Sequence, residues 1–298
     1  MKNQNLGTKF KISTRTKRSV LLLTPALICI SVISLFPVLR GITLGFTNYK
    51  VAMSIKFNGI QNYISIYKNG YLKQAAFNTV YIVVLSLIVT YVLGLIVALL
   101  LNSNIPLRKI WRSLLVIPWA VPGVARAITW RRIFTANGGW LNYNLLRFGI
   151  IKENINWFGQ NLAIYMIITI IVWGCIPFTA MAFLAAMQAI PNENYEAAEI
   201  DGASVFQKFW YITLPNLRSI SMVVVSLLFM WISNDFNSQY LMTGGGPGSS
   251  TLTMAVEAYY QGFRSGNFGM ATAYGNVMMI FCGLFIFFYI RAFHKKDY

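Results

Sequence analysis

The chain has 298 residues, of which 56% are hydrophobic and only 11% charged, with a mean hydropathy of +0.56. A soluble domain carries roughly 25% charged residues, so a soluble enzyme of this length is excluded, and a chain this apolar does not stay solvated as a disordered one. An all-α integral membrane protein remains, and the net charge of +17 is read as basic residues flanking spans and meeting anionic lipid, not as a nucleic-acid footprint.

Residues 1–18 are polar, contain no acid and carry Lys2, Lys9, Lys11, Arg15, Lys17 and Arg18. They resemble the start of a signal peptide, but the apolar run from Val20 to about Val38 is long enough to span and no A-x-A cleavage site follows. It is read as a retained first transmembrane helix with Pro37 near its outer end. Residues 19–71 therefore hold the first span and an extracytoplasmic loop, and 72–293 hold a five-helix core. The core spans are predicted at Ala76–Leu101, Ile110–Trp130, Leu162–Met187, Ser219–Asn234 and Met270–Phe293, followed by a short tail over 294–298. At a rise of ~1.5 Å per residue, ~20 residues cross a bilayer, and in its core every backbone group needs an internal partner, so the spans should be helices. Six spans put both termini on one side. Arg108, Lys109 and Arg112, together with the basic tail, make that side cytoplasmic.

Pro118 and Pro122 break the third span and Pro177 falls in the fourth. Two readings stand: a backbone opened along a substrate path, or the ordinary frequency of Pro in membrane helices. Cys29, Cys175 and Cys282 all lie in apolar runs, without a C-x-x-C pair, and read as small buried residues. The sole histidine, His294, is in the tail, so no metal site is expected.

The segment 190–215 differs in composition from the rest. It holds four of the chain's eight acids, Glu193, Glu196, Glu199 and Asp201, among the helix formers Ala197 and Ala198. Gly202 suits a helix C-terminus, and a second short amphipathic helix with Phe206, Phe209 and Trp210 follows before Pro215 closes it. A helix–Gly–helix elbow on the cytoplasmic side is expected. An interfacial loop on lipid is the alternative, but four acids would be repelled by anionic headgroups.

This elbow resembles the EAA motif of binding-protein-dependent ABC importer permeases. The pattern is E-A-A, three residues, G, nine residues, I, one residue, L-P, and Glu196-Ala197-Ala198, Gly202, Ile212 and Leu214-Pro215 stand at those spacings. Further stretches are similar to the maltose-type carbohydrate permeases. They are Phe57 to Tyr63 (F-x-G-x-x-N-Y), Asn78-Thr79, Pro118 to Pro122 (P-x-A-V-P), and Thr243 to Pro247 with Thr251 (T-x-G-G-P-x-x-x-T). The resemblance implies a type I importer permease fold in a bacterial inner membrane. It implies that Glu193, Glu196, Ala197, Ala198, Glu199, Asp201, Gly202 and Ala203 form the coupling site for a partner ATPase. It also implies a solute-binding protein and a second permease subunit, in a heterodimer.

By the same resemblance, sugar contacts fall at Trp119, Gly123, Ile171, Cys175, Leu228, Ile232 and Asp235. Gly123 and Cys175 lack the side chains of the maltose protein, so maltose itself is not expected. Trp231 and Asp235 lie four apart, on one face of a continuous helix. An aromatic face and a carboxylate suit a sugar, while a span-end position at the interface is the competing reading. Arg126, Arg131 and Arg132 could attract an anionic substrate, but their place near a span end fits ordinary flanking charge. No G-x-x-x-x-G-K-[ST] phosphate loop is present, so ATP and Mg are expected on the partner and no cofactor or catalysis in this chain. The other class considered is an ion-coupled carrier using Asp235.

Overall fold

The computed structural model describes residues 14–68 and 70–294. The early lysines Lys2, Lys9 and Lys11 and residues 295–298 lie outside the described residues, as do the side chains of Arg15, Lys17, Arg18 and His294. Five helices are long and apolar enough to cross a membrane, and a sixth span forms if one sharply bent helix pair is counted as one.

The first span runs through α1 (Thr14–Ile30), a π-helical turn over Ser31–Leu35, and α2 (Phe36–Leu44). It begins inside the segment read as a polar tail. Its apolar window has no buried residue, so it stands at the periphery of the chain. Cys29, expected to be buried, is exposed on it. After α3 (Gln61–Lys68) comes α4 (Tyr71–Asn102), five residues longer at its start than the apolar run suggested. The broken third span consists of α5 (Arg108–Leu115), α6 (Ile117–Ala120) and α7 (Gly123–Ile133), with a 95° bend between its halves. The short α8 (Trp140–Arg147) leads to α9 (Ala163–Gln188), the most buried span, which continues through Pro177. The elbow is built from α10 (Asn192–Ile200), α11 (Val205–Lys208) and α12 (Leu214–Asn216). The fifth span is α13 (Arg218–Ser233), followed by α14 (Phe236–Thr243). The short α15 (Met254–Tyr259) and the last span α16 (Phe268–His294) follow.

Lipid is as apolar as the side chains, so these helices associate by close packing and hydrogen bonds. The tightest seam joins α4 and α9. Gly94 lies directly against Thr179, and a Cβ there would sit 2.7 Å from the Thr179 Cβ. Ile82 and Val83 of α4, Ile167, Ile170 and Ile171 of α9, and Val224, Leu228 and Ile232 of α13 fill the core around that seam. Phe229 stacks on Phe285 of α16 at 3.7 Å between ring centroids. A second cluster gathers Ile66, Ala75, Leu252, Met254, Val256, Ala273 and Tyr274.

The stretches that resemble family motifs act here as polar clamps. Asn62 donates to the carbonyls of Gly45 and Thr47 (2.9 and 2.8 Å), pinning the end of the first span. Thr243 and Thr251 share a 2.7 Å hydroxyl hydrogen bond, and Thr251 also donates to the Gly246 carbonyl, closing the glycine-rich loop.

Candidate functional site

The break in the third span has a local cause. A residue preceding proline is driven out of the helical region, and Val121, before Pro122, is extended (φ −73°, ψ 123°). Pro122 is also non-helical (ψ 138°), and the helix restarts at Gly123. The opened backbone from Ala120 to Pro122 forms one wall of a cavity of about 620 Å³. Freed backbone groups in a membrane span are tolerated where they line such a space.

Each remaining wall comes from a different span. Ile171, Gly174 and Cys175 come from α9, Met230, Trp231 and Ile232 from α13, and Asn234 and Asp235 from the junction before α14. Trp119 and Arg126 complete it. The structure thus brings together Trp119, Gly123, Cys175, Trp231 and Asp235, with Ile171 and Ile232. Leu228 is fully buried in the core and does not line the cavity. Trp119 and Trp231 keep 57% and 41% of their surface exposed, so both rings have a free face. Trp231 is held edge-on against Phe178.

Asp235 does not extend the face of α13, which stops at Ser233. It caps α14 instead: Oδ1 accepts from the Ser238 backbone N–H (3.0 Å) and Oδ2 from the Ser238 hydroxyl (2.7 Å). This is the bond pattern that favours Asp at a helix N-cap. Arg126 Nη2 reaches the same Oδ2 at 3.4 Å, and both side chains are about six-sevenths buried, 14% and 15% exposed. Arg126 is therefore not flanking charge. It points inward and lies across Gly174, where a Cβ would collide with Nη1. Its spacing of three from Gly123, on the first turn of α7, is the signal that could have placed it on the cavity face. Arg131 does stay peripheral, donating to the Leu241 carbonyl.

The elbow is rigid for identifiable reasons. Gly202 adopts φ +77° at the end of α10, and the N–H groups of Gly202 and Ala203 return to the carbonyls of Glu199 and Ala198 (3.0 and 2.8 Å). This is a Schellman closure. Ser204 then caps α11 in a reciprocal box with Gln207. Lys208 binds Glu199 at 2.6 Å, and Tyr195 hydrogen-bonds Thr213. The Lys208 hydrogen bond, and then its charge, hold the Glu199 carboxyl below its ordinary range. Pro215 does not close the elbow: it stands in the first turn of α12, after Leu214, and the chain runs on into α13 through Leu217.

The elbow's outward side is largely uncovered by the described residues. Glu193, Glu196, Ala197, Glu199, Asp201 and Gly202 are exposed, Ala198 and Ala203 half-buried. Ile200, Val205, Phe206 and Tyr211 are 70–88% exposed around them.

Residues 90–296 match the family of binding-protein-dependent transport system inner membrane components. The chain belongs to that family. It is a multi-pass inner-membrane permease subunit of a binding-protein-dependent ABC importer, and not itself the ATP-hydrolysing enzyme. It is 31% identical over 292 residues to the trehalose/maltose transport system permease protein MalF of Thermococcus litoralis, covering 97% of this chain and 98% of that one. It is 34% identical over 286 residues to the sulfoquinovosyl glycerol transport system permease protein SmoG of Agrobacterium fabrum, covering 94% and 91%. In fold it matches a chain from the crystal structure of a bacterial ABC transporter involved in the import of the acidic polysaccharide alginate. That match has a TM-score of 0.83 at 20% identity and covers 95% and 97% of the two chains.

Proposed function

We propose that this subunit carries a carbohydrate, an oligosaccharide delivered by an extracytoplasmic solute-binding protein, through the cavity between α6, α7, α9 and α13. The observation that carries the reading is the composition of that cavity. Two half-exposed tryptophans, Trp119 and Trp231, stand beside Arg126, Asn234 and Asp235 in one space of about 620 Å³. Indole faces pack on sugar C–H faces, and the polar groups supply hydroxyl partners. The named relatives, which carry sugars, support it. Gly123 and Cys175 act as small walls on the path.

The cavity opens alternately to either side as a partner ATPase dimer, holding ATP and Mg, opens and closes. Motion passes through residues 190–215, with Glu193, Glu196, Ala197, Ala198, Glu199, Asp201, Gly202 and Ala203 forming the docking handle. One elbow serves one ATPase cleft, so a second permease subunit completes a heterodimer. Both termini face the cytoplasm of a bacterial cell. The ion-coupled alternative has little support, because the Asp235 carboxylate is engaged by Ser238 and Arg126.

The test is reconstitution of the full complex into liposomes with labelled oligosaccharide and binding protein. Uptake should follow internal ATP and stop when the elbow carries the bulky substitution Gly202→Trp. Uptake driven by an ion gradient without ATP would defeat the reading.

A further inference from the structure

The Arg126–Asp235 pair is unequal. Asp235 has short partners on both oxygens, 3.0 and 2.7 Å from Ser238. Among the described residues, Arg126 has only the Asp235 carboxylate at 3.4 Å and the Ser238 hydroxyl at 3.5 Å, both on Nη2. Charge-assisted N–H···O bonds ordinarily measure about 2.7–2.9 Å, so both contacts are long. The buried Nε has no partner. A guanidinium offers five N–H donors, and here most are unmatched although the side chain is largely out of water. The first turn of α14, whose N–H groups point at Asp235, offsets part of the carboxylate's charge as well. What the cavity presents is therefore an excess of donors and, at the guanidinium, of positive potential, centred on Arg126 in the space that Trp119 and Trp231 also line.

Arg126 is placed there by the chain itself. The restart of α7 at Gly123 sets it on the first turn, and the absent side chain at Gly174 leaves room for the guanidinium to lie across α9. A guanidinium fork matches a carboxylate or sulfonate better than it matches a hydroxyl.

We infer that Arg126 is a specificity-determining residue of the translocation path, selecting carbohydrates that bear an acidic group, with Asp235 and Gly174 positioning it. This rests on the carbohydrate reading above and narrows it. Neutral sugars find two aromatic faces but leave the guanidinium unmatched.

The test uses Cys175, which lines the same cavity, as a reporter in the assembled complex carrying Cys29→Ser and Cys282→Ser. Its modification rates by an anionic (sulfonatoethyl) and a cationic (trimethylammonioethyl) methanethiosulfonate are compared with those of a free thiol. A positive cavity raises the anionic-to-cationic ratio by about tenfold, and Arg126→Gln removes the bias while Arg126→Lys keeps it. A ratio unchanged by Arg126→Gln overturns the inference. In the second arm, trigalacturonate and neutral galactotriose are compared as protectants of Cys175. Protection by trigalacturonate at about tenfold lower concentration, lost in Arg126→Gln, supports acid selection. Equal protection overturns it and leaves the carbohydrate reading standing. Protection by neither sugar counts against both.

Discussion

Asn78 and Leu252, 174 positions apart, are joined by one buried hydrogen bond: the Asn78 amide donates to the Leu252 carbonyl at 2.9 Å. The same amide donates to the Ser249 carbonyl, and Thr79 accepts from the Met254 N–H. The start of α4 thus holds the end of the glycine-rich loop, and two separate sequence stretches serve one joint. A buried carbonyl deprived of its donor costs about 1–3 kcal/mol. Asn78→Leu fits the volume but removes both donors. Its thermal unfolding midpoint in detergent should fall by several degrees, whereas Gln74→Leu, which removes only a side-chain partner of Asn78 at 3.0 Å, should cost less. Equal midpoints for the two variants would show that the joint is not what holds the loop.

Gly174 is expected to act through Arg126. A methyl at Gly174 occupies the place of Nη1 and drives the guanidinium off Asp235. Gly174→Ala and Arg126→Gln should each reduce uptake by the complex, about tenfold for a lost charge-assisted contact of roughly 1.5 kcal/mol. The double variant should be no worse than Arg126→Gln alone. Residues acting through one contact are non-additive in this way. Multiplied losses would mean that Gly174 matters only by narrowing the cavity.

The spans and the elbow were legible because they obey strong local rules. Apolar length marked the six spans, though helix ends such as Tyr71 carry too little hydropathy to be seen. E-A-A with Gly202 announced the helix, its left-handed cap and the restart. The break at Pro122 was legible too, because proline restricts the residue before it. Long-range chemistry was not. The side-chain direction of Arg126 depends on where α7 restarts and on the missing side chain at Gly174, 48 positions away by the numbering. Asp235 was expected on the face of α13, but Asn234 and Asp235 leave the helix so that Asp235 can cap the next one. Cap and continuation compete at such a residue, and the neighbouring Ser238 decides the outcome.

Gly202 separates backbone strain from docking. Among the described residues, no atom beyond its chain neighbours lies within 4 Å of where its Cβ would be, so substitution meets no clash there. The cost of a side chain at φ +77° is about 1–2 kcal/mol, least for Asn. Gly202→Asn should therefore leave the elbow formed and coupling largely intact. Gly202→Trp adds bulk on the exposed side, and should abolish co-purification of the ATPase while the subunit still folds. Retention of a stoichiometric ATPase by the Trp variant would remove Gly202 from the docking surface.

The tie between Glu199 and Lys208 gives the elbow a pH dependence of definite sign. The Glu199 carboxyl is lowered, first by the Lys208 hydrogen bond and then by its charge. A carboxyl lowered in the folded state contributes stability that is fully present above the unfolded pKa and is lost as pH falls through the folded one. The turn from Glu199 to Lys208 should thus be tightest at neutral pH and loosen only in acid. Lys208→Gln should bring the Glu199 titration, followed by carboxyl carbon NMR of labelled protein, back up to the ordinary carboxylate range. Hydrogen exchange over 199–208 should then be faster at neutral pH than in the parent and match it in acid, where the tie is already broken. A Glu199 titration that does not move on loss of Lys208 would mean that the 2.6 Å contact is not kept in the working protein.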